Sequence, residues 1–211
     1  MKKLIVDYNG PIIKANNFFE DRSKRIAKIF KIKYNKELRN EWVRLYIEVS
    51  EGKISLESYY KKLSKIAKTK LNGDEDKRFI NCEKMADKGM PLHIRTLRKK
   101  FGSKLKIGIL SNYTTSWVMG FLKKNHLEKY FDKIVVSDRI KVRKPDLRAY
   151  NAIARMLGAK PKDCVYIGDS LDDLNGAKSA GMKSIFIPGE DKEAKGYAKI
   201  NNLGEVEKYL K

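Results

Sequence analysis

The chain has 211 residues, of which 42% are hydrophobic and 35% are charged, and its formal net charge is +21. This length suits one large domain, or a core domain with a smaller insert. No apolar run approaches the roughly 18 residues that a membrane helix needs, and the run before Asp7 is too short for a secretory signal. The two cysteines, Cys82 and Cys164, are far apart, so we expect a reduced, cytoplasmic protein.

The positive charge arises from 47 lysine and arginine residues against 26 aspartate and glutamate residues. Such an excess favours either a polyanionic partner or a heavily solvated surface. The basic residues are spread over nearly every segment, and no aromatic and basic signature of a nucleic-acid module is present. Glutamine is absent, which together with the high charged fraction is typical of thermophilic proteins. The sequence therefore favours a solvated surface with no specific nucleic-acid partner.

The first predicted element is a short buried strand at 3–7, whose apolar run ends at Asp7. From 15 to 89 the apolar residues recur at helical spacing, and Gly52 and the stretch 71–74 break the pattern. We predict about four amphipathic helices in this segment. Because they follow the first strand, they form an insert that can lie over the carboxyl edge of a sheet.

After Pro91 short apolar runs alternate with helical periodicity. The predicted strands are 105–110, 133–137, 164–167 and 183–187. One predicted helix ends near 102, and the others cover 117–124, 147–157, 172–180 and 204–210. This alternation predicts βαβ units and a parallel sheet. The expected fold class is therefore α/β, a Rossmann-like doubly wound sheet, with a core of residues 1–14 and 90–211 and a helical insert of residues 15–89.

The polar residues that follow the predicted strands have the chemistry of an active site. In a parallel sheet such residues collect at one edge, where ligands bind. Each of them alone is more often a helix cap or a surface residue, but their order along successive strands indicates a common site. In chain order they are Asp7, Ser111, Asn112, Lys144, Asp169 and Asp173.

This set of side chains suits phosphoryl transfer. Mg²⁺ typically keeps several waters and binds one or two protein carboxylates together with a substrate phosphate. A carboxylate can act as a nucleophile and form an acyl phosphate. An ammonium and a hydroxyl can hold the phosphoryl oxygens as charge spreads over them.

Four stretches of the sequence resemble the motifs of the haloacid dehalogenase-like hydrolase superfamily, in its phosphatase-type branch with a helical cap. They read IVDYNG, ILSNY, KVRKPD and YIGDSLDDLNGAKSAGM, and together they extend over essentially the whole chain. The last is the most specific, because G-D-S-x-x-D is followed by Ala-x-x-Ala-Gly. The resemblance implies that the segment 15–89 is a cap that shields the site and shapes the choice of substrate.

The resemblance also implies a nucleophile and a metal site. Asp7 would be the nucleophile of a Mg²⁺-dependent phosphatase that forms an aspartyl-phosphate from a small phosphorylated substrate. Mg²⁺ would be bound by Asp7, Asp169 and the backbone carbonyl of Asn9. Asp173 would lie beside the metal and contact it through water.

Three further residues would bind the phosphoryl group according to the resemblance. Ser111 would hold a phosphoryl oxygen, and Asn112 would support the same loop. Lys144 would neutralise the anions that crowd around Asp7.

The first motif departs from the pattern of the superfamily. The usual D-x-D-G-T is Asp7-Tyr8-Asn9-Gly10-Pro11 here. The second aspartate is the usual general acid/base, and an asparagine in its place has no titrating proton. The metal site can survive, because this position contributes a backbone carbonyl. The departure therefore predicts a slow phosphatase.

Three alternatives to the slow phosphatase stay open. The first is a non-catalytic relative that binds a phosphorylated ligand or a protein partner, which the replacement at Asn9 favours. The second is a metal-independent dehalogenase, which the acidic residues Asp169 and Asp173 disfavour. The third is a nucleic-acid binder, which only the charge of +21 favours.

The charge leads to a first prediction. We expect only weak, non-specific binding to nucleic acid, because release of counterions drives such binding and salt abolishes it. Fluorescence anisotropy with duplex DNA and with structured RNA should show binding at low salt that collapses at about 150 mM salt. Tight binding at that salt concentration that discriminates between sequences or structures would contradict this expectation.

Overall fold

The computed structural model describes residues 2–14 and 18–210. The strands are β1 (Lys2–Asp7), β2 (Leu105–Ser111), β3 (Lys133–Val136), β4 (Cys164–Gly168), β5 (Lys183–Phe186) and β6 (Ala198–Lys199). The first helices are α1 (Phe18–Phe30), α2 (Lys36–Ser50), α3 (Leu56–Ile66), α4 (Glu75–Cys82) and α5 (Met90–Phe101). The others are α6 (Thr115–Lys124), α7 (Ser137–Ile140), α8 (Leu147–Met156) and α9 (Leu171–Ser179).

The strands form one parallel sheet in the order β3-β2-β1-β4-β5-β6. The chain runs outward from β1 to β3 and then returns to place β4 on the other side of β1. The strand order therefore reverses between β1 and β4, and open α/β sheets bind ligands at such a switch point. Two aspartates lie at this switch point. Asp7 is the last residue of β1, and Asp169 directly follows β4.

Helices cover both faces of the sheet, which is why Leu4, Ile5 and Val6 in the middle of the central strand are all apolar. Leu4 and Val6 of β1 pack in a cluster with α5 and α6, whereas Ile5 packs with α8 and α9. Successive side chains of a strand point to opposite faces, so both faces of β1 need apolar residues. This arrangement confirms the predicted α/β class and its doubly wound parallel sheet.

The helices α1 to α4 lie between β1 and α5 in the chain and pack on the rest of the molecule. Their apolar side chains, such as Trp42 and Tyr59, belong to the same buried cluster as Leu4 and Val6. The predicted boundary between residues 14 and 15 lies outside the described residues. The predicted boundary between residues 89 and 90 falls where α5 begins.

A buried ion pair connects α1 to the region around the sheet. Arg22 Nη2 lies 3.0 Å from Glu83 Oε2, and the Arg22 Nε–H donates to the Tyr113 hydroxyl at 3.1 Å. That hydroxyl donates to Glu83 Oε1 at 2.7 Å. Because the loss of one partner would leave a buried charge uncompensated, this network strongly disfavours separation of α1 from the loop after β2.

Several predicted elements differ from the observed ones in detail. Ser137, predicted as the end of a strand, begins the short helix α7, and its hydroxyl donates to the Ser50 carbonyl at 2.5 Å. The predicted C-terminal helix is a 3₁₀ helix, Leu203–Tyr209. The strand β6 was not predicted, because two residues are too few to show a periodicity. In the part of the chain that the structure describes, no helix is long and apolar enough to cross a membrane.

Candidate active site

Most of the predicted site residues meet at one cavity of about 210 Å³ at the carboxyl edge of the sheet. This volume is below the roughly 300–1,000 Å³ of pockets for drug-sized ligands, so the cavity suits a small molecule. Its wall consists of Asp7, Asn9, Phe19, Tyr46, Asn112, Arg143, Lys144, Pro145, Asp169, Ser170, Asp172, Asp173 and Glu190. Ser111 is not in this wall: it is buried at the end of β2, and its hydroxyl has no hydrogen-bond partner among the described residues.

Lys144 is a buried ammonium held between two carboxylates. Its Nζ lies 2.7 Å from Asp7 Oδ2 and 2.6 Å from Asp173 Oδ2, and it donates to the Tyr166 hydroxyl at 3.0 Å. Burial alone would lower the pKa of Lys144, but Asp173 and Asp7 together raise it above its ordinary value. The side chain therefore favours its charged form and lies against the two carboxylates.

Asp7 is the last residue of the central strand, and each oxygen of its carboxylate contacts another group of the protein. Oδ1 accepts the backbone N–H of Tyr8 at 2.6 Å, and Oδ2 contacts Lys144. Burial raises the pKa of Asp7 well above its ordinary value, although Lys144 opposes this effect, and the nearby Asp173 and Asp169 raise it further. Burial and the neighbouring carboxylates therefore disfavour the ionised form of Asp7, and Lys144 favours it.

Asp169 is buried just after β4 without an ion-pair partner among the described residues. Its Oδ2 accepts the backbone N–H of Glu190 at 2.7 Å, and burial raises its pKa to about 7. Two glycines leave room for this carboxylate. A Cβ on Gly10 would lie 2.1 Å from Asp169 Cγ, and one on Gly189 would lie 2.2 Å from Asp169 Oδ2.

The two predicted amides have different surroundings. Asn112 holds the loop of Lys144, because its Nδ2 donates to the Lys144 carbonyl at 2.9 Å and its Oδ1 accepts the Lys144 N–H at 2.8 Å. Asn9 lies in the cavity wall, and its buried Oδ1 has no hydrogen-bond partner among the described residues. Asn9 therefore has an acceptor available for a ligand, whereas Asn112 is used to position Lys144.

The wall also includes residues that were not predicted from the sequence, and four of them bear on the chemistry of the site. Phe19 and Tyr46 come from α1 and α2, and the Tyr46 hydroxyl donates to the Asn112 carbonyl. Their only signal in the sequence was helical periodicity, which predicts burial and not a place in a site. Arg143 is part of the KVRKPD stretch next to Lys144, and Glu190 lies beyond the fifth predicted strand. The signal for Glu190 in the sequence is its place after that strand, where polar residues reach the same edge of the sheet.

The donors in the wall fit a hydrated divalent cation. No group of three His, Cys, Asp or Glu side chains in the described chain is arranged as a complete ion-binding site. Mg²⁺ does not need one, since it typically binds one or two carboxylates and keeps waters for the remaining positions. Buried carboxylates at Asp7 and Asp169 with raised pKa values, near the unpartnered Asn9 amide oxygen, match this requirement.

Comparison with models of known protein families identifies the family to which the chain belongs. The family model described as haloacid dehalogenase-like hydrolase matches residues 21–187. This span is most of the chain, and the chain therefore belongs to the haloacid dehalogenase-like hydrolases. The family predicted from the four sequence stretches is thus confirmed, and with it the assignment to the hydrolases.

Two relatives of the chain are phosphatases. The phosphorylated carbohydrates phosphatase of Thermotoga maritima is 24% identical over 194 residues, which span 88% of this chain and 84% of that protein. The phosphoglycolate phosphatase of Salmonella paratyphi A is 31% identical over 92 residues, which span 44% of this chain and 36% of that protein.

A solved structure shares the overall fold. It is a HAD-family enzyme from Bacteroides thetaiotaomicron, in complex with magnesium and inorganic phosphate. The TM-score is 0.71 at 21% identity, and the alignment covers 90% of this chain and 96% of the other. At this identity the similarity establishes the common fold.

The close packing of Gly10 on Asp169 leads to a second prediction. Gly10→Ala would introduce a Cβ 2.1 Å from Asp169 Cγ at a φ of +77°. Gly196→Ala is the matched control, because its φ is +83° and a Cβ there would meet nothing within 4 Å. Both variants should lose about 1–2 kcal/mol to backbone strain, and Gly10→Ala should lose about 1–3 kcal/mol more through overpacking. Urea unfolding followed by tryptophan fluorescence measures the difference, and equal losses would contradict the prediction.

Proposed function

We propose that this protein is a Mg²⁺-dependent phosphatase that hydrolyses a small phosphorylated molecule through an aspartyl-phosphate at Asp7. The observation that carries the proposal is the fixed carboxylate of Asp7, which contacts a buried ammonium and faces a small polar cavity. Membership of the hydrolase family supports it, as do the relatives that act on phosphorylated carbohydrates and on phosphoglycolate.

The proposed reaction has two displacements at phosphorus. The Asp7 carboxylate attacks the phosphorus atom, the bond to the ester oxygen breaks, and the alcohol leaves after it gains a proton. Water then attacks the phosphorus of the acyl phosphate, loses a proton and releases inorganic phosphate, which restores the carboxylate. Lys144 favours the ionised form of Asp7, and contacts on both carboxylate oxygens hold the nucleophile in one orientation.

A divalent cation completes the proposed site. Asp7, Asp169 and the backbone carbonyl of Asn9 would hold Mg²⁺, with Asp173 beside it. Mg²⁺ would supply positive charge against the phosphoryl oxygens during the transfer. Asp173 has a second role in the chain itself, because its contact with Lys144 fixes the ammonium next to Asp7.

The predicted cap is part of the proposal as well. The segment 15–89 contributes Phe19 and Tyr46 to the cavity wall, so its helices cover part of the site. Exclusion of water by such a cover strengthens the electrostatic interactions beneath it. The cavity of about 210 Å³ restricts the substrate to a small metabolite.

A second candidate function rests on Asn9. An asparagine can donate and accept hydrogen bonds, but it cannot transfer a proton to a leaving group or remove one from water. A protein of this kind can bind a phosphorylated ligand without turning it over. The two candidates differ in whether phosphate is released at all.

The proposed metal site gives a third prediction. Phosphate release from a panel of small phosphate esters should require Mg²⁺ and should be abolished by a chelator, and Asp7→Asn and Asp169→Ala should each abolish it. Asp163→Ala is the control, because Asp163 is exposed and lies just before β4, at the edge of the sheet opposite the cavity. Robust turnover in the chelator would overturn the proposal and favour a metal-independent reaction.

Asn9 gives a fourth prediction. General acid/base assistance is typically worth about 10²–10⁴ in rate, so its loss should affect alkyl phosphates more than aryl phosphates, whose leaving groups need little protonation. Asn9→Asp should raise turnover of alkyl phosphates by at least about tenfold. In the unmodified protein, hydrolysis of the aspartyl-phosphate should be slow enough for the intermediate to be trapped in acid.

Steady-state kinetics on both types of substrate decide this prediction. If Asn9→Asp leaves a measurable alkyl phosphate turnover unchanged, another residue supplies the proton. If neither protein releases phosphate from any ester while both bind phosphate, the non-catalytic candidate is correct.

A further inference from the structure

The described cavity wall has two cationic side chains, and they differ in how they are paired. Lys144 contacts the carboxylates of Asp7 and Asp173. Arg143 is half-buried and has no carboxylate partner among the described residues. Its side chain donates one hydrogen bond, from Nη1 to the Ser50 hydroxyl, and its Cζ lies 5.4 Å from the centroid of the Tyr46 ring.

We propose that Arg143 binds a carboxylate of the substrate, so that the preferred substrates are small phosphate monoesters that also carry a carboxylate. This inference rests on the proposed function and names its substrate class. A guanidinium has five N–H donors in a planar fork that matches a carboxylate in a bidentate manner. One of these donors is used in the described structure, so the remaining ones are free for a ligand.

The guanidinium is held in place before any substrate binds. Tyr46 and Ser50 are four residues apart on α2, so they lie on one face of that helix and contact Arg143 together. Arg143 also precedes Lys144 in a loop that Asn112 fixes through two hydrogen bonds. The position that would bind the second anion is therefore set relative to the ammonium that contacts the nucleophile.

The charges of the wall favour one orientation of the substrate. The carboxylates of Asp172 and Glu190 also line the cavity. A carboxylate on the substrate would be repelled by Asp172 and attracted by Arg143. A phosphate ester without a carboxylate would cover the half-buried guanidinium and leave it without an anionic partner, which is unfavourable. The wall thus discriminates against esters that lack a second anion.

The cavity size limits what else the substrate contains. A volume of about 210 Å³ leaves little room beyond a phosphoryl group and a short carbon chain. A carboxylate is the smallest group that uses the bidentate geometry of a guanidinium. These two constraints together favour a short phosphorylated hydroxy acid over a phosphorylated sugar.

The test compares two esters with equal chain length, 2-phosphoglycolate and 2-hydroxyethyl phosphate, in the presence of Mg²⁺. The unmodified protein should prefer 2-phosphoglycolate by at least about tenfold in kcat/KM. Arg143→Gln should remove this preference, mainly through an increased KM for 2-phosphoglycolate, and Arg143→Lys should restore only part of it because it lacks the planar fork. Arg139→Gln makes the same change in charge on the exposed face of α7 and should leave the preference intact.

Two further measurements separate this role from the alternatives. Ser50→Ala removes the hydrogen bond between Arg143 and α2 but keeps the guanidinium and its contact with the Tyr46 ring, so the preference should persist. Loss of the preference in Ser50→Ala, or a parallel loss for both esters in Arg143→Gln, would mean that Arg143 only positions the helices and would overturn the inference.

Calorimetry with phosphonoacetate and ethylphosphonate tests binding without turnover. If the protein releases no phosphate but binds phosphonoacetate more tightly in an Arg143-dependent manner, the proposed function fails and the inference stands. If esters are hydrolysed with no preference for the carboxylate, the inference fails and the proposed function stands. Equal binding of the two phosphonates, or binding of neither, also overturns the inference.

Discussion

The contact of one buried ammonium with two carboxylates makes the arrangement at the sheet edge possible. Three aspartates, Asp7, Asp169 and Asp173, lie close together, and burial raises the pKa of Asp7 and of Asp169. Lys144 offsets part of this repulsion through contacts of 2.7 and 2.6 Å. Without it, the fold would bury unpaired negative charge at the centre of its sheet, which is strongly destabilising. Asn112 holds the backbone of this lysine through two hydrogen bonds, which helps to keep the ammonium between the carboxylates.

Much of this arrangement could be predicted from the sequence, because strand ends are visible as apolar runs that stop at polar residues. In a parallel sheet that single feature brings distant segments to one edge. Asp7, Lys144 and Asp169 were found in this way, and the structure places them around one cavity. The positions were predictable because the sheet has a fixed geometry, whereas the side-chain partners were not. Nothing in the sequence indicated that Asp173 would contact Lys144 or that Ser111 would stay out of the cavity wall.

The contribution of the helices was harder to predict for a physical reason. Helical periodicity shows which face of a helix is buried, but it does not show what that face packs against. Tyr46 and Phe19 therefore looked like ordinary residues of a helical core, although they line the cavity. Arg143 also gave no signal of its own in the sequence, because it stands next to Lys144, which was the predicted site residue. Its environment depends on how α2 docks on the sheet, which long-range packing decides.

The charge of the whole chain and the charge of the cavity have opposite signs, and this difference bears on how an anionic substrate can bind. The described wall has five carboxylates and two cationic side chains, whereas the chain has a net charge of +21. The surface field can attract phosphate esters over distances of about 10 Å at moderate ionic strength. Inside the cavity, however, the carboxylates around Asp7 and Asp169 oppose the same ester. A divalent cation in the wall would remove most of this opposition, and Arg143 would then remain as the cation that is free to select the second anionic group. The excess of carboxylates over cations thus links the proposed need for Mg²⁺ to the proposed choice of substrate.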